Sequence, residues 1–449
     1  MRIKPLRDRV ITPFQVLVSY YFIAIAVSFA LLSLPWVVKD GITVEPIDTL
    51  FTAVSAISVT GLTTINLSET YTVFGTIMIL IILQFGAIGI MSVGTFVWLI
   101  VGKRIGMKER QLLMIDNNQH NLSGVVQLIR EIIKLLLFIE LTGAIILTLH
   151  FKRYFEEWHD AIYHGIFTAI SATTNGGFDI TGMSLQLYHL DYFVQFITML
   201  LIMLGAIGFP VLIEVKTYIL HRKETFRFSL FTKITTATYA GLFFIGALGI
   251  YVIELFSSFK HMPWHEAIFS AMYHSASTRS AGLTTYDVTT FSEATDLFMS
   301  FLMFIGASPS SVGGGIRTTT FAIAILFVLA YARGKTEIHV FKRKVHDIDV
   351  FRSFVVILLA AVMVMVSAII LLISEKHATM TQIIFEITSA FGTCGMSLGI
   401  TNDLTILGKV VIMCLMFIGR VGLISFLYSL GGRQNKMHYQ YPTERVIIG

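Results

Sequence analysis

Charge is what this chain has least of. Asp, Glu, Lys and Arg make up 14% of its 449 residues, while 55% are hydrophobic; an ordinary soluble domain is about a quarter charged. A soluble core can hide part of such an excess, but not long unbroken runs of it. Cysteine is nearly missing too. Cys394 and Cys414 lie in the last apolar region and offer neither a disulfide framework nor a metal-site spacing. There is no His-Glu-x-x-His and no Gly-x-x-x-x-Gly-Lys segment, which argues against a membrane enzyme built on either motif. The run Gly313-Gly314-Gly315 is not followed by Lys and Ser or Thr, so it is a poor phosphate loop.

What is present is apolar length. Val16–Leu34, Val73–Ile100, Leu135–Leu149, Phe193–Ile213, Thr235–Ile253, Phe354–Ile373 and Val410–Leu430 carry almost no charge. About 20 apolar residues span the hydrocarbon core, so the pattern predicts a polytopic helical protein of the lipid bilayer. The first run lacks a small-residue cleavage site and leads into further spans, unlike a signal peptide.

The net charge of +5 is concentrated in a few places. Basic residues cluster before the first span (Arg2, Lys4, Arg7, Arg9), near 102–130 (Lys103, Arg104, Lys108, Arg110, Arg130), near 216–233 (Lys216, Arg222, Lys223, Arg227, Lys233), near 333–352 (Arg333, Lys335, Lys342, Arg343, Lys344, Arg352) and in the tail (Arg433, Lys436, Arg445). Lys and Arg bias marks the cytosolic side, which places both termini and three linkers there, in a multi-pass protein of the cell membrane. A chain this apolar is not a nucleic-acid binder.

A search for repeats aligns four segments ending in Gly61-Leu62, Gly177-Phe178, Gly282-Leu283 and Gly395-Met396, at steps of 116, 105 and 113 residues. A second landmark follows each: Gly86-Ala-Ile-Gly89, Gly205-Ala-Ile-Gly208, Gly306-Ala-Ser and Gly419-Arg-Val-Gly422, at offsets of 25, 28, 24 and 24. Each unit reads as a spanning helix, a helix too short to cross, a Gly turn and a second spanning helix. Trp158 with Asp160 and Trp264 with Glu266 open two of the short helices, as suits a headgroup-level start and a positive helix end. The expected fold is all-α: eight spanning helices and four re-entrant helices around one pseudo-fourfold axis. The units are placed at 12–101, 125–215, 234–332 and 351–431. The tails are 1–11 and 432–449, and the linkers 102–124, 216–233 and 333–350.

Irregular backbone at membrane depth must be buried in protein or line a wet cavity. Four converging turns therefore surround a pore. Glycine lets successive carbonyls point inward, a carbonyl ring replaces the hydration shell of a cation, and short helices ending there present their negative ends. The filter is read as Val59-Thr60-Gly61-Leu62, Asn175-Gly176-Gly177-Phe178, Ser280-Ala281-Gly282-Leu283 and Thr393-Cys394-Gly395-Met396. These are degenerate relatives of the potassium-channel filter Thr-Val-Gly-Tyr-Gly.

The stretch from Ala294 to Ala332 is too long for one crossing: about 58 Å as an α-helix, against roughly 30 Å. Its middle is Gly306-Ala307-Ser308-Pro309-Ser310-Ser311-Val312-Gly313-Gly314-Gly315. Proline and three glycines break a helix there. The expectation is an intramembrane loop over 306–317 that obstructs the path below the filter and moves about Gly313, Gly314 and Gly315. Arg420, at the same depth, either faces the pore or pairs with a neighbouring helix; an intramembrane Arg is a functional candidate by default. Arg279, one step behind the third filter, is read as bracing it from outside. His159, His164, His265 and His274 lack the spacing of paired metal ligands and read as polar packing.

The four units, the single Gly per filter and the motif from Gly306 through Arg317 to Thr318 resemble the Trk/Ktr/HKT superfamily of potassium and sodium transporters. They look most like the membrane subunit of bacterial Ktr potassium uptake systems, over about residues 12–449. The resemblance implies potassium selection where all four filters carry Gly, and sodium passage where the first carries Ser. It also implies a homodimer with one pore per subunit and a cytosolic ring of nucleotide-binding regulatory subunits, where ATP or ADP would bind, with sodium stimulating uptake and no cofactor on this chain. A sodium-coupled secondary transporter is the alternative, although its repeats would be inverted and these share one orientation.

Overall fold

The computed structural model describes residues 13–89, 92, 106–116, 124–220, 226–430 and 444. The basic residues of the two tails, and Lys103, Arg104, Arg222 and Lys223, lie outside them.

Each unit opens with a long helix: α1 Pro13–Leu32, then α5 Val125–Phe151, α9 Leu230–Glu254 and α13 Asp347–Ser374. All four are long and apolar enough to cross a membrane. A shorter helix follows in each unit: α2 Pro46–Ser58, α6 Trp158–Thr173, α10 Trp264–Ser277 and α14 Met380–Phe391. The chain then re-enters helix as α3 Val73–Ile88, α7 Tyr192–Ala206, α11 Glu293–Ile305 and α15 Ile406–Val421. Those starts are set locally. Thr72, Asp191, Ser292 and Thr405 each accept a first-turn amide with the side chain, satisfying donors that a helix leaves orphaned.

The packing forms a closed circuit. α6 lies against α3, α10 against α7, α14 against α11, and α2 against α15. Each short helix is thus held by the last helix of the preceding unit, and the fourth unit meets the first. That seam carries a buried ion pair. Lys409 Nζ on α15 is 2.5 Å from Asp48 Oδ1 on α2, which also accepts from Thr64 Oγ1 at 2.6 Å. Removing one member of a buried pair leaves the other charge uncompensated, at about 3–5 kcal/mol. Lys409→Met is therefore expected to lower the thermal midpoint in detergent by several degrees, and Lys409→Met with Asp48→Asn to recover much of it. Equal midpoints for parent and single variant would remove the seam from the account.

One expectation needs correction. The second long segment of a unit is not one helix. α7 stops at Ala206 and α8 Phe209–Leu220 leaves at a bend of 103°. α15 stops at Val421 before α16 Leu423–Leu430, and α3 Val73–Ile88 is capped by Gly89 at φ 91°. The break foreseen for the third unit alone recurs at Gly208 and Gly422, at φ of 101° and 88°. Helix also extends into the segments read as linkers. α8 and α9 reach into 216–233, α13 begins within 333–350, and α4 Met107–Asp116 lies within the linker 102–124. Hydropathy marks the lipid-crossing part of a helix, whereas backbone hydrogen bonding continues into water. α12 Thr318–Ala332 completes the third unit, and a hairpin, β1 His339–Val340 with β2 Arg343–Lys344, follows it.

Candidate functional site: a ring of four glycine turns and the loop at 306–317

The short helices end in one backbone signature. Val59, Asn175, Ser280 and Thr393 have φ of 58°, 53°, 82° and 47°; Gly61, Gly177, Gly282 and Gly395 have φ of 91°, 67°, 72° and 96°. The residue between, Thr60, Gly176, Ala281 or Cys394, is not left-handed. Left-handed backbone costs a non-Gly residue, so its recurrence in four registers is a constraint imposed by the site. Alternating handedness turns successive carbonyls to one side of the chain, and the amides turn back. Thr60, Gly176 and Cys394 donate N–H to the carbonyls of Ser55, Ser171 and Ser389 at 2.9, 2.8 and 2.7 Å. In the third unit Ala281 donates to Ser277 O at 2.9 Å. Ser55 Oγ and Ser389 Oγ take the N–H of Gly61 and Gly395.

The glycines show how the strands meet. A Cβ on Gly61 would lie 2.5 Å from Gly176 O, and one on Gly177 would lie 2.9 Å from Ala281 O. One on Gly282 would strike Cys394 O, and one on Gly395 would strike Thr60 O. Each glycine faces the preceding-residue carbonyl of the next unit, and the fourth returns to the first. Val59, Thr60, Leu62, Asn175, Phe178, Ser280, Ala281, Leu283, Thr393, Cys394 and Met396 are all buried. The four glycine turns thus meet backbone to backbone in a closed ring.

The second landmark has a steric cause. A Cβ at Gly86, Gly205 or Gly419 would collide with the carbonyl of Ile57, Thr173 or Phe391 at the end of the same unit's short helix. Glycine there lets the later helix support the filter by backbone contact.

Residues 306–317 form a folded loop between α11 and α12, and nearly all of it is buried. Its ends are stapled: Ala307 N donates to Gly314 O at 3.2 Å, and Arg317 N to Ile305 O at 2.9 Å. Its stapled end touches the third glycine turn. Gly314 N donates to Ser280 Oγ at 3.2 Å, and Ser280 Oγ donates to Thr393 O at 2.7 Å. Its other side leans on the second unit, through Ser308 N to Ala206 O at 3.1 Å and Val312 N to Gly205 O at 3.4 Å. Phe209 N donates to Ser310 O at 2.9 Å. Arg317 Nη1 donates to Ser308 O at 3.3 Å and also to Gly313 O.

Arg420 is buried and, among the described residues, bonds only carbonyls: Val312 of the loop, Gly86, and Ala87 at 3.0 Å. It joins the fourth unit to the loop and to the end of α3 in the first. A cavity of about 130 Å³ lies beside these groups, with Tyr21, Gly89, Phe209, Ser310, Arg317, Arg420 and Gly422 in its wall. All four units contribute to this space.

Other candidates resolve differently. Arg279 is wholly buried, and none of its guanidinium nitrogens has a hydrogen-bond partner among the described residues; the bracing partner expected of it is not present there. His274 Nδ1 lies 2.8 Å from Ser270 O, His265 Nδ1 2.6 Å from Tyr192 Oη, and His164 stacks on Phe155. His159 is exposed next to Asp160. Sequence reasoning overlooked Gly395-Met-Ser397-Leu-Gly399, which has the spacing of a hydrolase nucleophile elbow. It does not sit in a strand-to-helix turn: Ser397 follows the fourth filter, and its Oγ is engaged by Thr401 Oγ1 at 2.7 Å and Gly399 N at 3.0 Å. The Lys409–Asp48 seam was also missed. An acid three positions into a short helix and a Lys at the start of an apolar helix were the available signals.

Helices long and apolar enough to cross a membrane, with four glycine turns that meet in a ring, define a class of multi-pass membrane protein. Comparison with known proteins gives the family. The TrkH family, described as "Cation transport protein", matches residues 4–430, and the chain belongs to it. It is 51% identical to Ktr system potassium uptake protein D of Bacillus subtilis, over 98% of both chains. It is 33% identical to Ktr system potassium uptake protein B of the same organism, over 99% of both. It is 32% identical to the potassium/sodium uptake protein NtpJ of Enterococcus hirae, again over 99% of both. The crystal structure of the potassium transporter TrkH from Vibrio parahaemolyticus has the same fold, with a TM-score of 0.73 at 17% identity, covering 95% of this chain and 87% of that one.

Proposed function

We propose that this chain takes up potassium across the cell membrane through a selective pore on the axis of its four units. The observation that carries this reading is the closed ring in which each filter glycine abuts the next unit's carbonyl. Relatives named for potassium uptake support the choice of ion. In this reading eight segments cross the bilayer, the later one in each unit broken or ended at its second glycine, and both termini are cytosolic. Residues 59–62, 175–178, 280–283 and 393–396 form the filter. The test is rubidium uptake into liposomes holding the purified protein, driven by a potassium gradient with sodium absent. Uptake without sodium is expected for a pore. Strict dependence on a sodium gradient would favour coupled transport instead, a reading to which the potassium/sodium name of one relative lends weight. Stimulation by sodium without coupling remains part of the proposal.

The loop 306–317 is the gate in this account, and Arg420 is its latch. Arg420→Gln removes the charge-assisted bonds to Val312, Gly86 and Ala87; bonds of this kind contribute roughly 1.5–3 kcal/mol each. Basal flux is expected to rise at least fivefold at unchanged ion selectivity. Flux equal to that of the parent would leave Arg420 a structural residue.

Regulation is assigned to another chain. The described linkers hold one short helix, one hairpin and the ends of α8, α9 and α13, with no nucleotide-binding domain among the described residues. We expect a homodimer that carries a cytosolic nucleotide-binding ring on its basic linkers. Purification from native membranes should recover such a partner, and flux should differ between ATP and ADP. Repeated recovery of the chain alone, with flux blind to both nucleotides, would contradict this.

A further inference from the structure

A cavity of about 370 Å³ opens between α11, α12 and α13. Its wall includes Phe301, Ile305, Ile316, Ala324, Val328 and Phe354, and every residue lining it is apolar. Phe301, Val328 and Phe354 are exposed. Water entering it would find no hydrogen-bond partner, and the three helices are among the apolar elements read as lying in the bilayer. The natural occupant is hydrocarbon.

The groove also has a polar end. Leu329 lines it, and Arg333 follows one helical turn later, where α12 stops. Arg333 and Lys335 are exposed and make no ion pair among the described residues. The one carboxylate close to them in sequence, Glu337, is held by Lys344 at 2.6 Å and lies 3.6 Å from His339. Tyr331, also exposed, suits the headgroup level. Arg333, one turn beyond Leu329, and Lys335, two residues further along the chain, supply the charge that an anionic headgroup above an acyl chain would match.

The groove touches the loop at both of its ends. Ile305 immediately precedes the loop and Ile316 lies at its close; Ile316 N donates to Phe304 O at 3.2 Å and Arg317 N to Ile305 O at 2.9 Å. An acyl chain packed on Ile305 and Ile316 bears directly on this staple. We propose that the groove binds one anionic phospholipid, its acyl chain between α11, α12 and α13 and its phosphate at Arg333 and Lys335, and that this lipid holds the loop seated. Binding stands on the groove alone; its effect on flux rests on the reading of the loop as the gate.

The two parts are tested separately. Val328→Trp is placed in phosphatidylcholine vesicles with a minor fraction of phosphatidylglycerol, and bromine is put on the acyl chains of one lipid or the other. Quenching of the added Trp, over the parent protein, should be at least twofold stronger per brominated phosphatidylglycerol. Arg333→Gln with Lys335→Gln should abolish that preference. Equal quenching by both lipids would mean bulk bilayer contact and overturn the site. No quenching would mean that a second copy of the chain covers the groove, and would overturn it too. For regulation, Ala324→Phe fills the groove from the protein side. Parent flux should fall at least threefold as phosphatidylglycerol is added, and the variant should not respond. Preferential quenching with lipid-independent parent flux would leave the site standing and remove its control of the gate.

Discussion

Gly61→Ser is expected to admit sodium. The new Cβ would sit 2.5 Å from Gly176 O and 2.8 Å from Gly177 Cα, at a φ of 91°. Neither neighbour is a flexible side chain, so the first and second filter strands must part. A strained left-handed residue costs about 1–3 kcal/mol. A change of about 1.4 kcal/mol in relative ion binding is tenfold in selectivity. Discrimination between potassium and sodium should fall about tenfold or more, read as sodium competition against rubidium uptake. The ring makes the effect directional, because Gly177 Cβ would face Ala281 O and Gly395 Cβ would face Thr60 O. Serine at any of the four glycines should therefore loosen the same layer. Unchanged discrimination in a well-expressed Gly61→Ser protein would count against this filter.

Deletion of residues 308–314 should give the second large effect. The loop ends already meet: Ala307 N bonds Gly314 O, and a Cβ on Gly306 would lie 3.1 Å from Gly315 Cα. Joining Ala307 to Gly315 therefore needs little movement of α11 or α12. The deletion removes the Gly314 amide that Ser280 holds and the Val312 carbonyl that Arg420 holds. Basal flux is expected to rise at least tenfold and to lose most of its dependence on a cytosolic partner. Because Ser280 Oγ would lose the Gly314 amide, a modest loss of selectivity should accompany it. Parental flux under full control would show that the loop is not the gate.

The contrast between the third unit and the others shows what the sequence could disclose. Ala294–Ala332 is too long for one crossing and contains Pro309 and three glycines, so its break was legible from length alone. The breaks at Gly208 and Gly422 hide inside apolar runs of ordinary length. Their signal was the second glycine of Gly-Ala-Ile-Gly and Gly-Arg-Val-Gly, which reads as a packing motif until its φ is seen. The four turn glycines were legible because close backbone approach excludes every other residue, and that exclusion recurs four times. Arg420 stayed open between pore and partner, since its acceptors are carbonyls of Gly86, Ala87 and Val312, and carbonyls leave no mark in a sequence. The Lys409–Asp48 pair spans 361 positions and exists only because the circuit closes.

The most direct test of the central claim is to locate the ion. Anomalous diffraction from protein crystallised with rubidium in place of potassium should show density on the axis, ringed by the carbonyls of Thr60, Gly176, Ala281 and Cys394. Gly61→Ser should weaken that density. Rubidium found only away from this ring, in protein that still transports it, would contradict the account.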